Sequence, residues 1–227
     1  MDQDNMDLFE ESFVFEDQTN IEAEVVDEES VEMPEKDNAV KGWQKNILSY
    51  LHDLVFGLVS ILLIFMFLFR MVVVSGPSMK QTLLDGDRLI LLSNVLYKNP
   101  KYGDIVVASK ESFKDGEPII KRVIATEGQK VDIDFENGIV YVDDVPLDEP
   151  YTNTPTTLME GTKFPLTVEK GCVFVLGDNR NDSLDSRSFE IGQIDKRELL
   201  GKAIFLAIPG VDERTGKRDL NRIGVLW

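Results

Sequence analysis

Three short polar clusters hold the side chains best suited to chemistry. The first, Ser75-Gly76-Pro77-Ser78-Met79 followed by Thr82-Leu83-Leu84-Asp85-Gly86-Asp87, sets a serine behind a Gly-Pro pair. That pair constrains a turn, which can present Ser78 as a nucleophile or can simply be a turn. The second, Ile119-Ile120-Lys121-Arg122-Val123-Ile124, embeds two cations in an apolar strand. Alternation sends Lys121 to one face and Arg122 to the other, so one of them must point toward packed protein unless that face is wet. A desolvated lysine near an arginine has its pKa pushed below about 10.4, and a neutral amine is a competent general base. Snorkelling or salt bridging is the alternative use of the same side chain. The third cluster, Gly177-Asp178-Asn179-Arg180-Asn181-Asp182-Ser183-Leu184-Asp185-Ser186-Arg187, is dense in groups that bond backbone and each other. A polar loop tied by Asp and Arg pairs is expected there whatever the function.

A hydrolase built from these clusters would have to work without histidine, because the only one is His52, at the edge of a long hydrophobic segment. Ser-His-Asp and Cys-His mechanisms are therefore set aside, as is a histidine-based zinc site. The single cysteine, Cys172, lies in the apolar run Cys172-Val173-Phe174-Val175-Leu176 and is expected to fill core. It has no partner for a disulfide or a Cys-rich metal site, and no metal or cofactor is expected.

The net charge of −17 is concentrated at one end: residues 1–40 hold fifteen acids against one base, Lys36, which leaves −3 for the rest. That body has no basic stripe to neutralise phosphates, so nucleic acid is excluded as a partner. The acidic segment lacks Gly and should repel itself and stay disordered, either as a solvating tail or as a peptide that docks on a partner. Leu54 to Phe69 are sixteen uncharged residues, and Met71 to Val74 extend them past Arg70, which can snorkel. This predicts one transmembrane helix in the lipid bilayer. Lys36, Lys41 and Lys45 on one side balance Arg70, Lys80 and Arg88 on the other, so local charge does not orient it.

Beyond Ser75 the pattern is short β-branched runs between turn residues: 89–92, 104–108, 119–124, 131–133, 139–142, 172–176 and 203–208. This predicts a mainly β domain. Asn137-Gly138 between two alternating segments predicts a two-residue hairpin. The expected organisation is a disordered tail at 1–40, an anchor and lead-in at 41–74, and a β-rich domain at 75–227.

All three clusters occur, in this order and after a single membrane segment, in a way that resembles the bacterial type I signal peptidases. The resemblance spans about residues 43–208 and rests on S-G-P-S-M with T-L-L-D-G-D, Y-G-D-I-V-V at Tyr102 to Val107, I-K-R-V-I at Ile120 to Ile124, and G-D-N-R-N-D-S-L-D-S-R at Gly177 to Arg187. It implies an antiparallel β-sheet Ser/Lys protease, with Ser78 as nucleophile, Lys121 as general base and Ser183 holding the lysine amine. Arg122, Asp178, Arg180, Asp185 and Arg187 are implied as ion pairs shaping the site, and Val74, Met79, Leu83 and Ile120 as groove residues. The implied substrates are secretory preproteins with small residues at −1 and −3. The implied location is the cell membrane, single-pass, with the tail cytoplasmic and the catalytic domain outside.

The chain departs from the family's common pattern at Gln81, where many relatives have Pro, at Gly76, where some bear a hydroxyl, and at Thr126-Glu127-Gly128-Gln129, where Leu-Pro-Gly-Asp is common. None of these removes a catalytic side chain. Two rivals make distinct demands. A self-cleaving protease of the SOS-repressor type requires a DNA-binding head, which an acidic tail and a membrane helix do not supply. An inert membrane scaffold would keep its function without Ser78.

Overall fold

The computed structural model describes residues 36–226 apart from 112, 114 and 115. The disordered tail expected over 1–40 lies, as far as residue 35, outside the described residues, and residues 36–40 are helical. The chain divides into a first unit, Met1–Leu51, whose described part is helix, and a second, His52–Trp227, which holds the remaining helix and every described strand.

Helix α1 runs Lys36–Leu68. Its stretch Asn46–Leu68, 23 residues containing an 18-residue window of mean hydropathy 2.4, is long and apolar enough to cross a membrane. At 1.5 Å per residue it extends about 34 Å, against a hydrocarbon core of about 30 Å. Leu54, Phe56, Ile61, Leu63, Phe65 and Phe67 are all exposed, so apolar side chains point all round the helix and protein does not cover them.

The helix stops earlier than the sequence suggested. Met71 to Val74, expected to extend the span, instead leave it: strand β1 occupies Phe69–Val73 and pairs antiparallel with β2, Arg88–Ser93, from Phe69↔Leu92 to Val73↔Arg88. Three consecutive valines favour the extended backbone, and the β2 edge offers them hydrogen bonds that a helix end lacks.

The large sheet continues through β3 (Ile105–Ala108), β4 (Ile119–Thr126), β9 (Cys172–Leu176), β10 (Ile194–Asp195) and β11 (Leu199–Ile208), in the order β1-β2-β11-β3-β4-β9-β10, with β12 (Gly224–Val225) on β11. A smaller sheet has the order β7-β6-β5-β8, from β5 (Lys130–Asp134), β6 (Ile139–Val142), β7 (Val145–Pro146) and β8 (Leu166–Thr167). All described pairings within both sheets are antiparallel.

The runs 105–108 and 173–176 are buried at every position, as fits strands covered on both faces. Each fully buried Val, Leu or Phe there contributes about 1.5–3 kcal/mol. Cys172, at the start of β9, is half-buried against the same core, which pushes its thiol pKa up.

The β5–β6 hairpin differs from the expected two-residue turn. Pairing stops at Asp134↔Ile139, leaving four residues in the loop. The Asp134 carboxylate accepts the Glu136 and Asn137 backbone N–H groups, each at 3.0 Å, and the Asn137 side-chain amide at 2.7 Å. This side-chain turn outcompetes the tighter backbone turn. Gly138 takes φ +73°, and a β-carbon on it would meet Pro155 at 2.2 Å.

Candidate active site

The serine is carried by a loop closed at its neck. Val74 N–H donates to Asp87 O at 2.8 Å and Gly86 N–H to Val74 O at 3.0 Å. Inside it, Gly76 adopts φ +87°, and tight turns form as Lys80 N–H reaches Pro77 O and Leu83 N–H reaches Met79 O, each at 2.8 Å. Met79 is buried and anchors the loop while its neighbour Ser78 stays half-exposed. Gln81 adopts φ +97°, a conformation closed to proline, so the departure at this position goes with a different local backbone.

Strand β4 carries Lys121 to the serine loop. Lys121 is 4% exposed, and its Nζ donates to Ser78 Oγ at 2.8 Å and to Ile120 O at 3.1 Å. Burial pulls its pKa down to about 8, against the charges of Asp185, Glu160 and Asp178, which push it up; Arg187 adds a smaller downward push. As strand alternation predicts, Arg122 lies on the opposite side, where it too is buried at 3% exposed, and the arginine that acts on the lysine is Arg187.

There Arg122 forms a two-pronged pair with Asp178, at 2.8 and 2.7 Å, donates to Gly103 O and lies 4.0 Å beneath the Tyr151 ring. Asp178 also accepts from Thr82 Oγ1 at 2.5 Å, so one buried carboxylate joins the serine loop, the lysine strand and the third cluster. Asn179 adds two clasps on the serine loop: its N–H donates to Ser78 O at 3.0 Å and its side-chain amide to Pro77 O at 3.1 Å.

The other implied ion pairs sort themselves. Arg187 pairs with Asp185 at 2.8 and 2.9 Å, both wholly buried. Arg180 pairs outside the cluster, with Glu149 at 2.6 and 2.5 Å. Ser183 lines the same cleft as Ser78 and Lys121, but its buried Oγ has no hydrogen-bond partner among the described residues.

A cleft of about 320 Å³ contains Ser78 and Lys121, and Val74, Met79 and Ile120 line it. Leu83 does not; it is fully buried in the core and borders a larger cavity of about 540 Å³ that holds neither Ser78 nor Lys121. Sequence reasoning missed Glu149, Glu160 and Tyr151. Nothing marks these three among the acids and aromatics of their loops, because their partners are distant in the chain. Thr82 was visible inside the first motif without its role.

Residues 47–208 match the model of a protein family described as signal peptidase, peptidase S26. Signal peptidase I of Bacillus licheniformis is 32% identical over 174 residues, covering 73% of this chain and 91% of that protein. A probable signal peptidase I-1 of Synechocystis is 36% identical, over 69% of this chain and 80% of its own length. Signal peptidase I T of Bacillus subtilis is 33% identical, over 79% and 96%. A solved signal peptidase I from Enterococcus faecalis is 30% identical with a TM-score of 0.39, over 46% of this chain and 97% of that one.

Proposed function

The chain belongs to the signal peptidase family, peptidase S26, and from that premise we propose that it removes signal peptides through a Ser78/Lys121 dyad. The observation that carries this reading is the 2.8 Å contact between Lys121 Nζ and Ser78 Oγ, with burial lowering the amine pKa to about 8. At pH 7 about a tenth of such an amine is neutral, whereas an unperturbed lysine would be about 99.9% protonated. In the neutral state the same separation lets the Ser78 hydroxyl donate to Nζ.

Lys121 takes the Ser78 proton as Oγ attacks the scissile carbonyl. The resulting ammonium protonates the leaving amine as the peptide bond breaks, which leaves an acyl-enzyme on Ser78. The neutral lysine then activates a water that releases the acyl group. Ser183 is a positioning group for Lys121: its Oγ, without a hydrogen-bond partner among the described residues, belongs to a residue lining the cleft and is available to the amine as the reaction proceeds. The buried Arg122–Asp178 and Arg187–Asp185 pairs hold the loops that set this geometry.

The substrates are secretory preproteins with small residues at −1 and −3. The cleft beside Ser78 is walled by the apolar side chains Val74, Met79 and Ile120, which suits small apolar residues next to the cut. The helix Asn46–Leu68 anchors the enzyme in the membrane, with the acidic tail in the cytoplasm and the β-domain outside. Anchoring holds the site near the bilayer surface, where the apolar part of a signal peptide ends. Incubating the detergent-solubilised protein with a preprotein and sequencing the new N-terminus tests activity and site choice together. Cleavage after a small residue, lost in Ser78→Ala and in Lys121→Ala, supports the dyad; near-normal cleavage by either variant rejects it.

A further inference from the structure

The chain beyond residue 208 lies outside the family match, yet it grips the loop that carries Ser78. We propose that Arg222 is a positioning residue for catalysis, which clamps Asp87 and so fixes the loop that presents Ser78 to Lys121. The inference rests on the dyad reading.

Asp87 is wholly buried and stands at the neck of the serine loop. Its carboxylate receives four donors: Leu84 N–H at 2.8 Å, Gly210 N–H at 2.6 Å, and Arg222 Nη1 and Nη2 at 2.9 and 2.7 Å. Four donors match the acceptor capacity of one carboxylate, and the paired guanidinium bonds fix direction as well as distance. Arg222 Nη2 also reaches Thr82 O at 3.2 Å. Thr82 is the residue whose hydroxyl binds Asp178, so the serine loop is held from the third cluster at one point and from the C-terminal segment at the next.

The fit between segment and loop is close. A β-carbon on Gly210 would lie 2.1 Å from Asp85 O and 3.0 Å from Asp87 N, so only glycine lets the segment pass. Downstream, β12 pairs with β11 at Phe205↔Val225, which anchors the segment on the far side of Arg222 in sequence. Arg222 is thus braced at both ends, and its guanidinium bears on the loop of the nucleophile rather than on the substrate. A misplacement of about 1 Å in a nucleophile costs about 100-fold in rate, so such a clamp should act on turnover more than on binding.

The test uses the full-length solubilised protein, wild type beside Ser78→Ala, Arg222→Gln, Arg222→Lys and Gly210→Ala. Each is assayed well below its unfolding midpoint, with folding checked by circular dichroism. Arg222→Gln is expected to lose about 10- to 100-fold in kcat with KM within about threefold of wild type. Arg222→Lys, which keeps the charge but not the fork, should recover part of that loss, and Gly210→Ala should repeat the kcat-selective defect. The ascending limb of the pH profile should stay in place, since the surroundings of Lys121 are untouched. Should Arg222→Gln fail to fold, Arg222→Lys and Gly210→Ala carry the same comparison. If Ser78→Ala retains wild-type cleavage, the dyad reading falls and the clamp with it. If Ser78→Ala is inactive but the folded clamp variants keep kcat within twofold, or lose only KM, the dyad stands and the positioning role is overturned.

Discussion

Gly177 passes so close to Ser183 that a β-carbon on it would lie 2.1 Å from Ser183 Oγ and 2.5 Å from Ser78 O. The third cluster therefore crosses the Ser78 backbone at its one residue without a side chain. Gly177→Ala must displace Ser183, Ser78 or both. Its expected effect is a loss of at least about 100-fold in kcat, because both groups lie in the cleft that holds the proposed dyad. Steady-state kinetics on a folded preparation checks this, and a variant within threefold of wild type would contradict it.

The Arg180–Glu149 pair predicts a stability effect. Arg180 is 1% exposed and also donates to Thr156 Oγ1 and Gly177 O. Glu149→Gln removes the charge opposite a buried guanidinium, for which the expected cost is about 3–5 kcal/mol. Denaturant unfolding measures it; a change below about 1 kcal/mol would mean that Arg180 finds another counter-charge.

Leu83 and Ile120 should separate core from groove. Leu83→Ala opens a hole in the core and is expected to cost about 2–5 kcal/mol while cutting preproteins at the same bond. Ile120→Ala enlarges the cleft and should admit a larger residue near the cut at a smaller stability cost. The readouts are unfolding midpoints and the sequenced N-termini of products from a substrate series. A shifted cut site in Leu83→Ala, with none in Ile120→Ala, would reverse the assignment.

Much of this architecture can be read along the chain, and what cannot has identifiable causes. The runs around 105–108, 119–124 and 172–176 are strands because β-branched sequence suits covered sheet interiors, while 89–92 is a strand whose burial alternates, with Leu89 and Leu91 in the core. Strand β1 was hidden because Phe69–Val73 continues the apolar run of the helix with only Arg70 interrupting it, and hydropathy alone does not separate the end of a span from an edge strand. The four-residue β5–β6 loop was hidden because Asp134 intervenes through its side chain, while Asn137-Gly138 carries the pattern of a tighter turn. At the site, the local motifs contain Ser78, Lys121, Asp178 and Arg187. The partners Glu149, Glu160 and Tyr151 come from one long connection whose sequence carries no periodicity, so only the folded chain brings them in.

The electrostatics of the cleft give a directional prediction. Glu160 is partly buried, lies 3.8 Å from Arg187 and has its own pKa raised by desolvation. When ionised it favours the Lys121 ammonium. Glu160→Gln should therefore move the ascending limb of kcat/KM to lower pH and raise the rate near neutrality relative to the optimum. A limb displaced to higher pH would contradict this sign.

The most direct test of the dyad is the pH profile of kcat/KM for wild type and His52→Gln, on a peptide without titratable groups near the cut. Only the unprotonated amine accepts the serine proton, so the rate should climb from pH 6 through a limb near the Lys121 pKa of about 8 and level off above it. His52→Gln should leave that limb where it was. An acidic optimum, or an ascending limb that disappears with His52, would contradict the assignment of Lys121 as the base.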